Sequence, residues 1–271
     1  MGIVNCTPDS FYPGSRRETR EAAVTAARRM IAEGADILDI GGESTRPGSD
    51  PVGADEERER VVPVIEALRA ESDIAISVDT RKAAVAGAGL AAGADLVNDV
   101  SGLRDDAELA PLVAARGVPV VLMHMQGTPK TMQRRPHYED TVADILEVLR
   151  ERIEVATDAG IARDRIICDP GIGFGKTVAD NLRILRELPR FRAELDTPVL
   201  VGLSRKSFIG KVLGEAGEPG EPLPVEERLT GTLAAHAWAA REGADILRVH
   251  DVAETVQLVT MLEAIATVER Q

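Results

Sequence analysis

A four-residue sequence that recurs three times constrains the fold of this chain more than any other feature. It reads Glu-Gly-Ala-Asp or Ala-Gly-Ala-Asp at residues 33–36, 92–95 and 242–245. Each copy follows a run with helical periodicity and precedes a run rich in apolar residues, and a glycine just past a helix end is a common helix terminator. The copies therefore indicate one repeated strand–helix unit, not a set of unrelated domains.

Short β-rich runs alternate with amphipathic runs along the whole chain. The predicted strands cover residues 2–5, 36–40, 74–78, 95–98, 118–123, 165–168, 198–202 and 245–249. The predicted helices cover residues 18–33, 55–71, 81–92, 106–116, 141–159, 179–188, 225–242 and 252–268. Residues 141–159 show the helical pattern most clearly, because their apolar residues recur three and four positions apart.

Eight strand–helix units in 271 residues give about 34 residues a unit, as a closed parallel barrel requires. We therefore predict an α/β fold, a single (β/α)8 TIM barrel that forms one domain over residues 1–271. Its active site is expected at the C-terminal ends of the strands. A doubly wound open sheet is the alternative, but this many units of even length favour closure. Residues 214–224, rich in Gly, Glu and Pro, predict a surface loop.

The composition narrows the possible partners and the compartment. A net charge of −13 argues against a nucleic-acid partner, which needs a basic face, but it allows a small anionic ligand in a locally basic pocket. Cys6 and Cys168 show neither metal-ligand spacing nor a disulfide framework. With no signal peptide and no apolar run long enough to span a bilayer, the sequence predicts a cytoplasmic protein without a membrane partner.

The stretch from Asp169 to Lys176 places a carboxylate at the end of a predicted strand and three glycines in the turn that follows. The glycine spacing matches neither a phosphate-binding P-loop nor the dinucleotide fingerprint. Glycine lets the backbone approach a ligand closely. The stretch therefore predicts an open turn at the rim of the barrel, although an ordinary strand-to-helix turn would explain it equally well alone.

Other predicted strands also end in polar side chains, and together these exceed what a scaffold needs. They are Asn5, Asp39, Glu43, Asp79, Asn98, Asp99, His124, Lys206, Arg248 and His250. Any one of them has a structural explanation: an Asp or Asn often caps the next helix. A lone histidine is usually a satisfied surface or core residue, and for His124 we prefer that explanation. Asp79, Asn98 and Asp169 offer acceptors and an amide that suit a flat heterocycle with an amino-amide edge.

Positive charge at the last two strand ends indicates an anionic substrate. Lys206, Arg248 and His250 supply that charge. Two loops rich in glycine and proline, residues 6–15 and 41–53, follow the first and second strands and are predicted to act as lids.

An ordered set of motifs resembles the dihydropteroate synthase family over essentially the whole chain. The motifs are Asn5-Cys6-Thr7-Pro8-Asp9-Ser10-Phe11, Gly41-Gly42-Glu43-Ser44-Thr45-Arg46-Pro47-Gly48, Ser77-Val78-Asp79-Thr80, Asn98-Asp99-Val100-Ser101-Gly102, residues 169–176, Ser204-Arg205-Lys206-Ser207-Phe208 and Arg248-Val249-His250-Asp251. The resemblance implies a barrel that joins 6-hydroxymethyl-7,8-dihydropterin diphosphate to 4-aminobenzoate. The products are 7,8-dihydropteroate and diphosphate, in a step of tetrahydrofolate synthesis.

The resemblance also assigns residues to three subsites. It implies that the pterin contacts Asp79, Asn98, Met123, Asp169, Phe174, Gly202 and Lys206. It implies that the diphosphate contacts Asn5, Arg248 and His250, with Mg²⁺ held close to Asn5. It implies that 4-aminobenzoate, with which sulfonamides compete, contacts Thr45, Arg46, Pro47, Phe174 and Ser204. Asp79, Lys206, Arg248 and His250 are the expected catalytic residues, and a homodimer is expected.

The implied reaction breaks a C–O bond beside an electron-rich ring, so we predict an SN1-like substitution. The first loop departs from the family pattern, since Pro13 replaces an aspartate and Cys6 replaces a small aliphatic residue. No extra residue stands beside Phe174, so we expect sensitivity to sulfonamides. The alternatives are a methyltetrahydrofolate-dependent methyltransferase on the same barrel and a catalytically silent, pterin-binding paralogue.

Overall fold

A computed structural model describes residues 1–7, 16–45, 48–216 and 221–268 of the chain. The strands are β1 (Gly2–Asn5), β2 (Ile37–Gly41), β3 (Ala75–Asp79), β4 (Leu96–Asp99), β5 (Val120–Met123), β6 (Ile166–Asp169), β7 (Leu200–Val201) and β8 (Ile246–Leu247). The helices are α1 (Arg16–Ala32), α2 (Ala54–Arg69), α3 (Ala83–Ala91), α4 (Leu109–Arg116), α5 (Thr141–Asp158), α6 (Val178–Arg186), α7 (Leu188–Leu195), α8 (Ser207–Ala216), α9 (Leu229–Arg241) and α10 (Val252–Thr267).

The strands close into one parallel ring. β1 to β6 pair in sequence order, and β7 pairs with β8. A bridge between Cys168 and Val199 joins β6 to the start of β7, and a bridge between Gly2 and Val249 joins the end of β8 to β1. The Ile3 amide donates to the Val249 carbonyl at 2.9 Å in that last contact. The predicted α/β barrel is therefore confirmed.

Side chains that point into the ring lie in two layers of different chemistry. The lower layer is apolar and packs Leu96, Val121 and Leu200 with partly buried neighbours. The upper layer lies two residues further along each chain segment. Asp39 follows Ile37 of β2, Asn98 follows Leu96 of β4, and Arg248 follows Ile246 of β8. Residues two apart on a strand point to the same side of the sheet. The interior of the barrel is therefore apolar in the lower layer and polar in the layer above it, which we call the polar floor.

Glycine ends the helices where the repeated sequence predicts it. Gly34, Gly93 and Gly243 all have positive φ, at 96°, 113° and 97°. At Gly93 a β carbon would lie 2.7 Å from Cγ of Arg69, so the position also needs a residue without a side chain. The helix-to-strand turns are thus predictable from three short sequences.

Two helices were missed in the sequence. α7 follows α6 after a break at Glu187, and it carries a proline in its first turn. α8 lies between the predicted strand 198–202 and the predicted helix 225–242 and overlaps the start of the predicted loop, and it contains Gly210 and Gly214, which are weak helix formers. At Gly210 a β carbon would lie 2.7 Å from the Leu223 carbonyl oxygen. Gly210 is needed because the segment that contains Leu223 packs too close for any side chain at this position. Hydrophobic periodicity does not reveal such a contact.

The predicted loop 214–224 is only partly a loop. Gly214 belongs to α8, and residues 217–220 lie outside the described part of the chain. The predicted helix 225–242 begins as a 3₁₀ turn, Val225–Arg228, before α9. Within the described residues, no helix combines the length and apolar character needed to cross a membrane.

Candidate active site

A buried network of charges forms the polar floor of the barrel. Asp39 is fully buried, and its Oδ2 accepts hydrogen bonds from Asn98 Nδ2 at 2.9 Å and from Arg248 Nε at 2.5 Å. Arg248 Nη2 donates to Asp79 Oδ2 at 2.7 Å. Four strand ends that lie far apart in the sequence thus meet around one guanidinium group. Asp79, Asn98 and Arg248 were predicted site residues, and the structure brings them together.

The charges in this network shift the proton affinity of its members. Burial and, to a lesser extent, the charge of neighbouring Asp39 together raise the pKa of Asp79 to about 8, although Arg248 opposes the shift. Burial alone would lower the pKa of Arg248, but Asp39 and Asp79 raise it above its usual value. Arg248 therefore stays charged, and Asp79 exchanges a proton in the neutral range.

A second cluster surrounds Lys206 at the end of β7. Lys206 Nζ donates to the Ile172 carbonyl and lies 4.5 Å from the centroid of the Phe174 ring, a cation–π contact. Burial lowers the pKa of Lys206 to about 8, although Asp169 pulls it upward. Burial also raises the pKa of Asp169, whose Oδ1 accepts from the Gly171 amide at 2.7 Å. These predicted pterin residues form one cation–carboxylate–aromatic group.

Methionine side chains line the wall next to this group. Val100, Met123, Met125 and Met132 form a buried cluster, and Phe174 packs against it. Thioethers are polarisable and adapt to irregular shapes, so such a wall suits a flat conjugated ring. The sequence predicted Met123 and Phe174. Met125 and Met132 were missed because they lie beyond the strand end, in the loop that follows β5.

The ends of β7 and β8 connect two predicted subsites. Ser204 Oγ lies 3.1 Å from His250 Nδ1, and the His250 amide donates to the same oxygen at 3.3 Å. A β carbon on Gly202 would lie 3.8 Å from the Arg248 stem, so Gly202 lies directly beside that side chain. The predicted aminobenzoate residue Ser204 and the predicted diphosphate residue His250 are therefore direct neighbours.

Asn5 is the candidate ligand for a magnesium ion. It ends β1 opposite Gly41 of β2, at the same rim as the charged network. Within the described residues, no group of three or more His, Cys, Asp or Glu side chains could hold a metal. One amide oxygen fits Mg²⁺, which keeps several waters and takes oxygens from a substrate phosphate. The residues present therefore fit a metal that arrives with the diphosphate.

The second predicted lid, residues 41–53, is anchored at its base by Glu43. Its carboxylate is 5% exposed and accepts from Arg81 at 2.9 Å, from Lys82 at 3.0 Å and from the Val52 amide at 2.9 Å. Burial raises the pKa of Glu43, but these bonds overcome that effect and lower it. The anchor holds both ends of the loop that carries Thr45. Arg46, Pro47 and residues 8–15, including Pro13, lie outside the described residues.

Replacing Glu43 with glutamine is expected to loosen this loop. Arg81 and Lys82 each lose one of two carboxylate partners and keep Asp105 and Glu57 respectively, so we expect the free energy of unfolding to fall by about 2 kcal/mol. We also expect the KM for 4-aminobenzoate to rise, because Thr45 lies on the loop. Urea unfolding and steady-state kinetics measure both effects, with Glu66→Gln on the exposed face of α2 as the control. Unchanged stability would mean that the loop does not depend on Glu43.

Asp39 belongs to the site, although none of the three predicted subsites included it. It lies in the run Ile37-Leu38-Asp39-Ile40-Gly41, where an acidic residue interrupts an apolar strand. A charge at an inward position of a barrel strand is costly unless it is paired, so the interruption itself was a usable signal. His124 is 4% exposed, and its Nδ1 contacts Lys176 Nζ at 2.9 Å, which agrees with the structural role preferred for it.

Comparisons with known proteins identify the family. The profile described as pterin binding enzyme matches residues 1–250. The dihydropteroate synthase of Escherichia coli K12 is 44% identical over 264 residues, which cover 97% of this chain and 90% of that protein. The solved structure of Xanthomonas albilineans dihydropteroate synthase with 4-aminobenzoic acid is 50% identical and has a TM-score of 0.91. It covers 99% of this chain and 93% of that one.

A second solved structure points the same way. The Xanthomonas albilineans enzyme in complex with 7,8-dihydropteroate is 48% identical, has a TM-score of 0.88, and covers 99% of this chain and 94% of that one. The chain belongs to the pterin-binding enzyme family. Within that family it belongs to the dihydropteroate synthases, which are transferases, so the membership predicted from the motifs is confirmed. The methyltransferase alternative is thereby set aside.

Proposed function

We propose that this chain condenses 6-hydroxymethyl-7,8-dihydropterin diphosphate with 4-aminobenzoate. The observation that carries the proposal is the charged floor of Asp39, Asn98, Asp79 and Arg248 beneath a wall of methionine and Phe174. The floor offers acceptors and donors to the polar edge of a pterin, and the wall offers an apolar face to its ring. Lys206 and Asp169 complete the pocket on the side of β6 and β7.

The proposed subsites follow the strand ends. The pterin site comprises Asp79, Asn98, Met123, Asp169, Phe174, Gly202 and Lys206, the diphosphate site comprises Asn5, Arg248 and His250, and the aminobenzoate site comprises Thr45, Phe174 and Ser204 with Arg46 and Pro47. Among the described residues, Nη1 of Arg248 has no hydrogen-bond partner, which leaves it for a diphosphate oxygen.

The chemistry starts with loss of the diphosphate. The C–O bond between the pterin methylene and the diphosphate breaks, and both electrons leave with the oxygen. Arg248 and His250 stabilise the departing anion, while Asp39 and the ionised form of Asp79 favour the cation left on the pterin. Bound Mg²⁺ near Asn5 would supply further neutralisation of the diphosphate charge. The aryl amine is neutral at pH 7, attacks the methylene carbon and then releases a proton to solvent.

Diphosphate release tests this proposal. Purified protein receives Mg²⁺, the pterin diphosphate and 4-aminobenzoate, each omitted in turn, and a sulfonamide is added last. We expect release that requires both substrates and that the sulfonamide blocks. Tight pterin binding without turnover would instead identify a silent paralogue, and the first loop with Pro13 would be the place to examine.

A homodimer and a cytoplasmic location belong to the same proposal. α6, α8 and α9 pack side by side, and each exposes a large apolar side chain. These are Leu182 at 45%, Val212 at 38% and Trp238 at 47% exposure. Such a patch supports pairing with a second copy of the chain, which sedimentation equilibrium would measure. Two free, buried cysteines support a reducing compartment, which cell fractionation would test.

A further inference from the structure

The loop that follows β6 is held by side chains at every carbonyl from Ile172 to Gly175. The donors are Lys206 to Ile172, Gln133 to Gly173 at 2.8 Å, Lys176 to Phe174 at 3.1 Å and Tyr138 to Gly175 at 2.8 Å. Gly173 and Gly175 have φ of 85° and 65°, so the backbone on both sides of Phe174 lies where only glycine rests easily. The position of the Phe174 ring therefore depends on these four bonds.

Of the two lysines among these donors, Lys176 is the more deeply buried. It is 3% exposed, and within the described part of the chain no carboxylate forms an ion pair with it. Its Nζ contacts His124 Nδ1 at 2.9 Å and the Phe174 carbonyl at 3.1 Å, and it lies 6.0 Å from the Tyr138 ring centroid. An unpaired buried lysine costs stability, so its position calls for a compensating role.

His124 connects Lys176 to the barrel. The His124 amide donates to the Asp169 carbonyl at 3.0 Å, at the end of β6. Burial lowers the pKa of His124 well below its usual value, with the charges of Lys176 and Arg104 adding to the effect. The ring is therefore neutral, and its Nδ1 accepts a hydrogen bond from Lys176, which places the ring proton on Nε2.

We propose that Lys176 is a positioning residue for the aminobenzoate subsite, acting through the Phe174 carbonyl and anchored by His124. Without its donor, the peptide group between Phe174 and Gly175 can rotate, and the Phe174 ring loses its fixed place beside Lys206. A ligand that stacks on that ring must then order the loop as it binds, which weakens its affinity. This inference rests on the proposed function, because it takes Phe174 as a wall of that subsite.

The two substrates are expected to respond differently. Phe174 belongs to both proposed subsites, but the pterin contacts from Asp79 and Asn98 lie on strand ends that Lys176 does not touch. The aminobenzoate subsite consists mainly of loop residues, and Phe174 is its member on this loop. Loss of the Lys176 bond should therefore reduce aminobenzoate affinity far more than pterin affinity. A merely structural lysine would lower both affinities together or lower only the melting temperature.

Lys176→Met tests the inference, because methionine keeps much of the apolar stem and removes the donor. We expect the KM for 4-aminobenzoate to rise about tenfold, with kcat within about threefold and pterin affinity within about twofold of wild type. Calorimetric Kd values for each ligand accompany the kinetics. Lys211→Met, at an exposed position on α8, is the matched control and should match wild type. Equal losses for both substrates, or no change for either, would overturn the inference.

A pair of His124 variants decides the matter if Lys176→Met does not fold. Asparagine can place its side-chain oxygen where Nδ1 of histidine lies, so His124→Asn should keep the aminobenzoate affinity close to wild type. His124→Leu removes the acceptor and should weaken aminobenzoate binding while sparing the pterin. Identical behaviour of the two variants contradicts the anchoring role. If wild type binds both ligands without turnover, the proposed function fails, yet the Kd values still decide the inference.

Discussion

Replacing Arg248 with methionine is expected to abolish turnover and to destabilise the fold at the same time. Arg248 is the only cation that bonds to Asp39 and Asp79 in the described structure, at 2.5 Å and 2.7 Å. Without it, Asp39 and Asp79 lose their counter-charge, and removing one partner of a buried pair costs about 3–5 kcal/mol. We expect diphosphate release to fall by a factor of about 10³, because the charge that stabilises the leaving anion is also lost. Urea unfolding and the release assay measure the two effects.

A double variant separates these two causes. Adding Asp79→Asn to Arg248→Met removes one of the two opposed carboxylates, so stability should recover by about 1–3 kcal/mol while activity stays absent. If stability does not recover, repulsion between Asp39 and Asp79 is not the reason for the loss. If Arg248→Met alone keeps normal stability, the ion pairs seen in the barrel contribute nothing net, and Arg248 serves binding only.

The fold was predictable because its signals are local and repeated. The sequences at 33–36, 92–95 and 242–245 mark helix ends by a glycine with positive φ, and that requirement acts within a few residues. α7 and α8 were not predictable in the same way. α8 contains Gly210 because Leu223 and Arg228 approach it, and such contacts between separate segments leave no periodic pattern.

The expectation that a barrel's active site lies at the C-terminal ends of its strands identified the polar residues of the site. It did not predict which of them bond to one another. Asp79, Asn98 and Arg248 were predicted as ligand contacts, and their roles stay predictions. The structure adds that Asn98 and Arg248 both bond to Asp39, which no subsite assignment included, and that Asp79 joins them through Arg248. Asn98 and Arg248 lie 59 and 209 residues from Asp39 in the sequence. Their bonds to Asp39 depend on closure of the barrel and on strand register, so the sequence alone could not identify them.

Asp79→Asn is expected to inactivate the protein while making it more stable at neutral pH. The pKa of Asp79 is about 8 in the folded chain, against 3.8 in the absence of the fold. Between those values the folded state holds a proton that the unfolded state has released, so wild-type stability falls as pH rises from about 4 to about 8. Asparagine does not titrate and can still accept a hydrogen bond from Arg248. The variant therefore escapes this loss.

The size of the gain follows from the same linkage. Each pKa unit corresponds to about 1.4 kcal/mol, and because Asp39 and Asp79 share one arginine we expect a gain on the order of 1–3 kcal/mol at pH 7.5. At pH 4 the two proteins should be equally stable. Lys176 and Lys206, whose pKa values are lowered to about 7 and about 8, make stability rise with pH above neutrality. They are present in both proteins and cancel in the difference.

Urea unfolding at pH 4, 6 and 7.5 measures this difference, with the exposed Asp164→Asn as a control that should follow wild type. Turnover of Asp79→Asn should fall at least about a hundredfold, because an amide can never carry the negative charge that the ionised fraction of Asp79 offers to the developing pterin cation. A variant that is less stable than wild type at pH 7.5 would show that the Asp79 charge stabilises the fold. A variant that is inactive yet more stable would show that the chain retains a strained carboxylate for its chemistry.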